Sequence, residues 1–382
     1  MKIALIAESF LPHMNGVTGS VMQVLKHLGA AGHELLVLAP DAGAIEADLH
    51  GARTELLRSY PLPSYPEVRM VFTRPAKIAQ SLVSFSADIV HLASPLLLGW
   101  NGVLAADALG IPSVAVYQTD IVAYTEKYGI PGVAPLAAAH IARLHRRSTL
   151  TLVPSTSAHT HLSELGVERL RHWGRGVDAE RFTPALRSET WREQVGQGQL
   201  LVGYVGRLAP EKQVEDLAAL HDLPGVRLVI VGDGPSRPEL ERLLPNAHFT
   251  GFLDGTELAE AMASFDVFVH PGESETFCQT VQEALASGVP VVATGRGGPV
   301  DLVRSSVNGW LYEPGNLAEL RARVTDLTGD DAKRAAFGSA ARLSVRDRTW
   351  AALCDQLVGH YAEAAEPSRA DQLLLARGAM RV

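Results

Sequence analysis

Ten short runs, almost continuous in apolar residues, constrain the architecture of this chain more than anything else in it. In the first half they are KIALIA (2–7), ELLVLA (34–39), DIVHLA (88–93), SVAVY (113–117) and LTLVP (150–154). In the second half they are LLVGYVG (200–206), VRLVIVG (226–232), HFTG (248–251), VFVHP (267–271) and PVVAT (290–294). A half-exposed strand alternates apolar and polar residues. These runs mostly do not, so both of their faces must be covered, as in parallel sheets flanked by helices. Longer, helix-compatible stretches separate many of them. Strand, helix, strand, repeated in two rounds, predicts two α/β doubly wound domains. A length of 382 residues is enough for two full cores. The break is expected between Gly166 and Gln199, where strands are sparse and WGRGVDAERFTP reads as a connector. An amphipathic helix from about Thr349 to Ala365 follows the second domain, and its natural place is a return to the first. The expected division is therefore 1–170 and 171–351, with 352–382 packing back on the first domain.

The formal net charge of −8 argues against nucleic acid as the main partner. Two cysteines, Cys278 and Cys354, have no metal-ligand spacing, which favours a reducing compartment over a disulfide or zinc framework. The segment MKIALIAESF is too short and too early broken by polar residues for a signal peptide. No run approaches the length needed to cross a bilayer, which leaves contact with a membrane surface open.

The chemistry is expected at the carboxyl ends of the strands, where open α/β sheets bind ligands. The stretch ETFCQTVQE places Glu275 and Glu283 around a strand-to-helix turn. Free N–H groups at such a turn stabilise an anion, and Glu283, two turns on, can reach the hydroxyls of a ribose. Paired glutamates on a helix also simply face water. GRLAPEK brings Arg207 and Lys212 after the first strand of the second half, a pair suited to a diphosphate or, more plainly, two surface cations. FLPHMNGV carries Gly16, whose backbone can approach phosphate oxygens, or is an ordinary loop. His91 ends a strand and is either a satisfied core histidine or a ligand for a sugar hydroxyl. VGDGP and GFLDG are turns, and backbone near Phe252 and Leu253 can border a base pocket. YQTDIVAYTEKYG packs Tyr117, Asp120 and Tyr124 into a polar–aromatic cluster. No Gly-x-Gly-x-x-Gly follows the first strand, no phosphate loop ends in Gly-Lys-Ser/Thr, and no Asp-x-Asp is present, so neither a nicotinamide site nor a metal clamp of that type is expected.

Taken together and in order, Gly16, His91, GRLAPEK and ETFCQTVQE resemble the retaining glycosyltransferases of family 4, over nearly the whole chain. The resemblance implies the GT-B fold: two Rossmann-like domains facing a cleft, acceptor on the first, nucleotide-sugar donor on the second. It implies that Arg207 and Lys212 bind the donor diphosphate, that Gly16 offers its N–H to the same phosphates, and that Glu283 holds the ribose. Glu275 would contact the transferred sugar, with backbone from Phe277, Cys278 and Gln279 nearby and Leu253 at the base. His91 would sit beside the sugar on the acceptor side, with Tyr117, Asp120 and Tyr124 toward the acceptor. The family commonly has glycine where this chain has Cys278. YQTDIVAYTEKYG and ETFCQTVQEA are most similar to the actinobacterial α-mannosyltransferases that use GDP-mannose on glycolipids. The expected reaction is therefore mannosyl transfer to a glycolipid such as glucuronosyl diacylglycerol, without cofactor or metal. Alternatives are a UDP-sugar-dependent transferase making sulfoquinovosyl or glucosyl lipids, a nucleotide-sugar 2-epimerase, and a non-catalytic sensor. The basic clusters Arg69, Arg74, Lys77 and Arg143, Arg146, Arg147 suit an anionic lipid surface, so the expected location is the cytoplasm, peripheral to the inner face of the plasma membrane.

Overall fold

A computed structural model describes residues 1–45, 47–62, 65–93, 96–120 and 133–366. The first half runs β1 (Lys2–Ile6), α1 (Gly16–Ala30), β2 (Glu34–Pro40), β3 (Arg53–Leu57), β4 (Ser59–Leu62), β5 (Tyr65–Val71) and α2 (Pro75–Phe85). It continues through β6 (Ile89–Leu92), α3 (Leu97–Leu109), β7 (Ser113–Val116), α4 (Val133–Arg147), β8 (Leu150–Val153), α5 (Thr156–Glu164) and β9 (Leu170–His172). The second half holds α6 (Glu189–Gly196), β10 (Leu200–Val205), β11 (Val226–Val231), α7 (Arg237–Leu243), β12 (His248–Gly251), α8 (Gly255–Ser264) and β13 (Val267–His270). It ends with α9 (Gln279–Ala286), β14 (Val291–Thr294), β15 (Gly309–Tyr312), α10 (Leu317–Thr328), α11 (Asp331–Val345) and α12 (Trp350–Ala365).

All ten expected runs are strands. They form two parallel sheets, in the order β3-β2-β1-β6-β7-β8-β9 and β12-β11-β10-β13-β14-β15. In each sheet the order reverses beside the first strand, at β1/β6 and at β10/β13. A crevice opens at such a switch point, outside the carboxyl ends. The sequence reading missed β3, β9 and β15, which lie at sheet edges, and the antiparallel hairpin β4–β5. Edge strands need only partial cover, and β3 (RTELL) and β9 (LRH) accordingly mix polar with apolar residues, while β15 (GWLY) is short.

Period-2 alternation divides the first core. Ile3 and Leu5 point to one face with Val21 and Leu25 of α1; Ala4 and Ile6 point to the other with Leu82 of α2 and Val103 of α3. The last helix, α12, lies on the α1 face. Leu353, Leu357 and Tyr361 join that core, and the Trp173 indole N–H donates to the Leu353 carbonyl at 2.8 Å. Thr349 caps the helix, its hydroxyl accepting from the Ala352 N–H at 3.2 Å.

Candidate active site

The site begins with the loop after β13. Gly297 and Gly298, from the loop after β14, pack onto its backbone: the Gly298 N–H donates to the Glu275 carbonyl at 2.7 Å. A Cβ on Gly297 would meet that same carbonyl oxygen at 2.6 Å. This close approach fixes the height of Glu275. One carboxylate oxygen, Oε1, lies 2.6 Å from Lys212 Nζ and 3.1 Å from His270 Nε2. Lys212 ends the short 3-10 turn after β10, and His270 ends β13, so the switch point brings both to Glu275. Burial alone would push the Glu275 carboxyl up, but the Lys212 ammonium and the His270 imidazole outweigh it and hold it well below the usual carboxylate range. Burial likewise works against a charged His270, yet Cys278 and Glu275 hold its imidazole up at about 9. The Tyr204 ring stacks on His270 with centroids 5.9 Å apart, and the Tyr204 hydroxyl donates to the Arg207 carbonyl at 3.2 Å.

Cys278 is the residue before α9 and has φ = 72°, in the left-handed region. Glycine adopts that conformation without strain, which gives a backbone reason for the glycine common at this position. The side chain is buried in the core of the second half, its Sγ 3.8 Å from the Thr280 hydroxyl. Phe277 is buried beside it, and Gln279 Nε2 donates to the Gly176 carbonyl at 3.1 Å. Burial pushes the Glu283 carboxyl up to about 8, against the pull of Gln279, Arg181 and Arg175. His270, Glu275 and Cys278 bring nitrogen, oxygen and sulfur ligand atoms within 4.8 Å of one another, but Lys212 already holds the same carboxylate oxygen. Leu253 lies beyond the edge strand β12, half-buried against the core.

Facing this element is the N-terminus of α1, where Asn15 Oδ1 accepts from the N–H groups of Val17 and Thr18 at 2.9 and 3.0 Å. Gly16 is exposed there as the first residue of the helix. Arg175, which the sequence reading left inside a connector, joins the two sides. It donates from Nη1 to the Gly16 carbonyl at 3.1 Å and from Nη2 to Gln118 Oε1 at 2.8 Å. Its own carbonyl accepts from Gln282 Nε2 at 2.9 Å. Burial lowers its guanidinium to about 10, while the nearby Glu275 and Glu283 favour the charge. Gln118 is a second missed residue. Its Nε2 donates to the Ala93 carbonyl at 2.9 Å, and its own carbonyl accepts from the Thr276 hydroxyl at 2.9 Å. Glu8, two residues past β1, is a third. Its Oε1 accepts from the N–H groups of Leu96 and Gly99, at 2.6 and 2.9 Å, at the start of α3. Burial pushes this carboxyl up to about 7 against those two bonds.

His91 does not reach this cleft. Alternation along β6 sets it with Ile89 and Ala93 on the face covered by α12. It is 1% exposed, with Nδ1 2.8 Å from the Tyr361 hydroxyl. Burial lowers its imidazole to about 4. His91 is a core histidine that ties the last helix to the first sheet, and the expected contact with sugar is corrected accordingly. Tyr117 is buried at the end of β7 beside Asp120, and both line a cavity of about 430 Å³ that Glu275 shares. Tyr124 lies outside the described residues.

The basic clusters separate. Arg69 donates to the Ser59 hydroxyl at 3.0 Å, Arg147 pairs with Asp107, and Arg143 stacks over Trp100 at 4.9 Å. Arg74 and Lys77, with Arg58, line a second, open groove whose floor is Leu57 and Val71. Phe72, 68% exposed, stands at its rim. Among the described residues no helix is long and apolar enough to cross a membrane.

Residues 14–181 match the family model described as Glycosyltransferase Family 4, and residues 187–344 match the one described as Glycosyl transferases group 1. A GDP-mannose-dependent alpha-mannosyltransferase of Mycolicibacterium smegmatis is 51% identical over 94% of this chain and 97% of its own length. The sulfoquinovosyl transferase SQD2 of Arabidopsis thaliana is 35% identical over 92% of this chain and 71% of its own. In fold, the Anabaena protein HepE, solved in complex with UDP-glucose, has a TM-score of 0.78 at 24% identity, covering 95% of this chain and all of that one.

Proposed function

The chain belongs to the family 4 glycosyltransferases of GT-B fold, and from that premise we propose that it moves mannose from GDP-mannose, with retention, onto a glycolipid such as glucuronosyl diacylglycerol. One observation carries the site assignment: a largely shielded carboxylate, Glu275, held by Lys212 and His270 at a switch point. Identity of 51% to the Mycolicibacterium mannosyltransferase supports the donor. We assign acceptor binding to residues 1–170 with 352–382, and donor binding to 171–351.

In this reading the donor diphosphate lies between Arg207, Lys212 and the start of α9, with the Gly16 N–H facing it from the first half. Breaking the sugar–phosphate bond builds negative charge on the leaving diphosphate. Fixed cations and N–H groups in a closed site stabilise that charge without having to reorganise. Glu275 takes hydroxyls of the mannose and keeps Lys212 in place between sugar and phosphate. Glu283 accepts from the ribose hydroxyls, and backbone of Phe277, Cys278 and Gln279 lines the sugar and phosphate. Leu253 borders the base. Tyr117, Asp120 and Tyr124 are assigned to the acceptor side.

Calorimetric titration with GDP, UDP and ADP tests the donor assignment. Selective GDP binding is the expected result; selective UDP binding would keep the transferase and replace mannose with a UDP-linked sugar. The ribose role adds a sign. Glu283 is protonated below about pH 8 in the free protein, and ribose hydroxyls favour the carboxylate. GDP affinity is therefore expected to rise between pH 7 and 8, and to lose that dependence in Glu283→Gln. A pH-dependence unchanged in the variant would remove the ribose contact.

A lipid acceptor must be met at a membrane. Arg58, Arg74 and Lys77 sit at the carboxyl end of β3, the same edge of the sheet on which the cleft opens, beside the exposed Phe72. We assign this groove to an anionic membrane surface. At about 1 kcal/mol per basic residue, the triple change Arg58→Glu, Arg74→Glu, Lys77→Glu is expected to weaken binding to phosphatidylglycerol vesicles by at least about 100-fold. Sedimentation with anionic and neutral vesicles checks it, and unchanged binding would move the membrane contact elsewhere.

A further inference from the structure

The cavity of about 430 Å³ that borders Glu275 is built by both halves. From the first come Tyr117 at the end of β7, Asp120, and His161 on α5; from the second, Glu273, Glu275 and Arg296. Its size falls within the range of small-molecule sites, about 300–1,000 Å³. His161 Nε2 is buried there with no hydrogen-bond partner among the described residues. Its ring lies against Tyr117, centroids 6.1 Å apart, so His161 serves the cavity as wall.

The charges are arranged asymmetrically. Glu275 is compensated by Lys212 and His270. Glu273 is held twice: Oε1 accepts from Gln213 Nε2 at 3.4 Å, and Oε2 accepts from Arg296 Nη1 at 3.1 Å. Arg296 is 67% exposed, and this single contact leaves most of its five N–H donors open. Asp120 sits beside the Tyr117 hydroxyl. Strand order separates Arg296 from the diphosphate cations. Arg207 and Lys212 follow β10, Glu275 follows β13 and Arg296 follows β14, so Arg296 lies across the Glu275 loop from them.

We infer that the acceptor's sugar head group enters this cavity, with Arg296 reading a carboxylate on it. The inference rests on the glycolipid acceptor proposed above and supplies the side chains that select an acidic sugar over a neutral one. Arg296 turns its planar fork from Glu273 to the ligand's carboxylate in a two-point contact, while Gln213 keeps its bond to Glu273. The Asp120 carboxylate accepts from hydroxyls on the same ring.

The test is a titration by ligand-observed NMR of the full chain, with GDP present, using methyl glucuronoside and methyl glucoside as probes. Wild type is expected to bind the glucuronoside at least about tenfold tighter, as for a hydrogen-bonded charge. Arg296→Gln removes that preference, and the GDP affinity of the variant reports that it is folded. In transfer to glucuronosyl and glucosyl diacylglycerol, the ratio of kcat/KM for the two lipids falls by the same factor. Equal affinity of wild type for the two glycosides, or a preference kept in Arg296→Gln, would overturn the inference. The glycoside titration needs no donor turnover. Failure of wild type to transfer mannose to either lipid would therefore count against the proposed reaction, while the titration still decides Arg296.

Discussion

Lys212→Met is expected to lower turnover by about 10²–10³, the range for loss of one group that stabilises developing charge. Two effects combine. In the proposed reaction the leaving diphosphate loses a cation, and Glu275 loses the partner 2.6 Å from its Oε1. Both side chains are largely shielded from water, at 19% and 14% exposed. Removing one member of an isolated buried pair costs about 3–5 kcal/mol; here His270, 3.1 Å from the same oxygen, offsets part of that. The sign with pH follows from Glu275. Its carboxyl in the folded protein lies below its ordinary value of 4.5, so the stability it contributes is present above that value and lost as pH falls toward the folded pKa. Lys212→Met therefore unfolds at a lower temperature than wild type at pH 7, and the gap narrows in acid. Steady-state turnover and thermal unfolding at two pH values measure both effects. Near-wild-type turnover would remove Lys212 from the reaction.

That Lys212 and Glu275 share one site was legible in the sequence, because GRLAPEK and ETFCQTVQE each lie at a strand's carboxyl end and doubly wound sheets gather such ends in one crevice; the ion pair between them was not. The strands were legible for a related reason: cover on both faces leaves little room for polar residues in VRLVIV or ELLVLA. The same property hid the orientation of His91. In a run where both faces are apolar, sequence does not say which face a single polar residue takes, and register with Ile89 and Ala93 turned this one toward Tyr361. Arg175 was hidden differently. Its partners Gly16 and Gln118 stand 159 and 57 residues away, and nothing local marks a connector arginine as a clasp. Cys278 shows a third limit. Its φ of 72° is a property of the turn, and only a glycine there would have announced it.

Arg175→Ala is expected to be nearly as damaging to turnover as loss of Lys212, although Arg175 is assigned no contact with the reacting atoms. Its guanidinium holds the start of α1 through the Gly16 carbonyl and holds Gln118, whose carbonyl accepts from Thr276 two residues before Cys278. Through its own carbonyl it also meets Gln282, one residue before Glu283. One residue thus links the first half's helix terminus to the turn of the second half that carries Thr276 and Cys278. Displacement by about 1 Å costs on the order of 100-fold where catalysis rests on positioning. The vacated acceptors, if left dry, add about 1–3 kcal/mol each in lost stability. A purely stabilising role predicts a lower melting temperature with kcat intact once the variant is folded. A positioning role predicts a fall in kcat at temperatures where the variant is fully folded, with GDP affinity less affected. Arg175→Lys separates the two. It keeps the positive charge beside Glu275 and Glu283 but reaches Gly16 or Gln118, not both in the fork geometry. It should recover most of the stability and little of the rate, and recovery of both together would show that charge, not the clasp, is what the cleft requires.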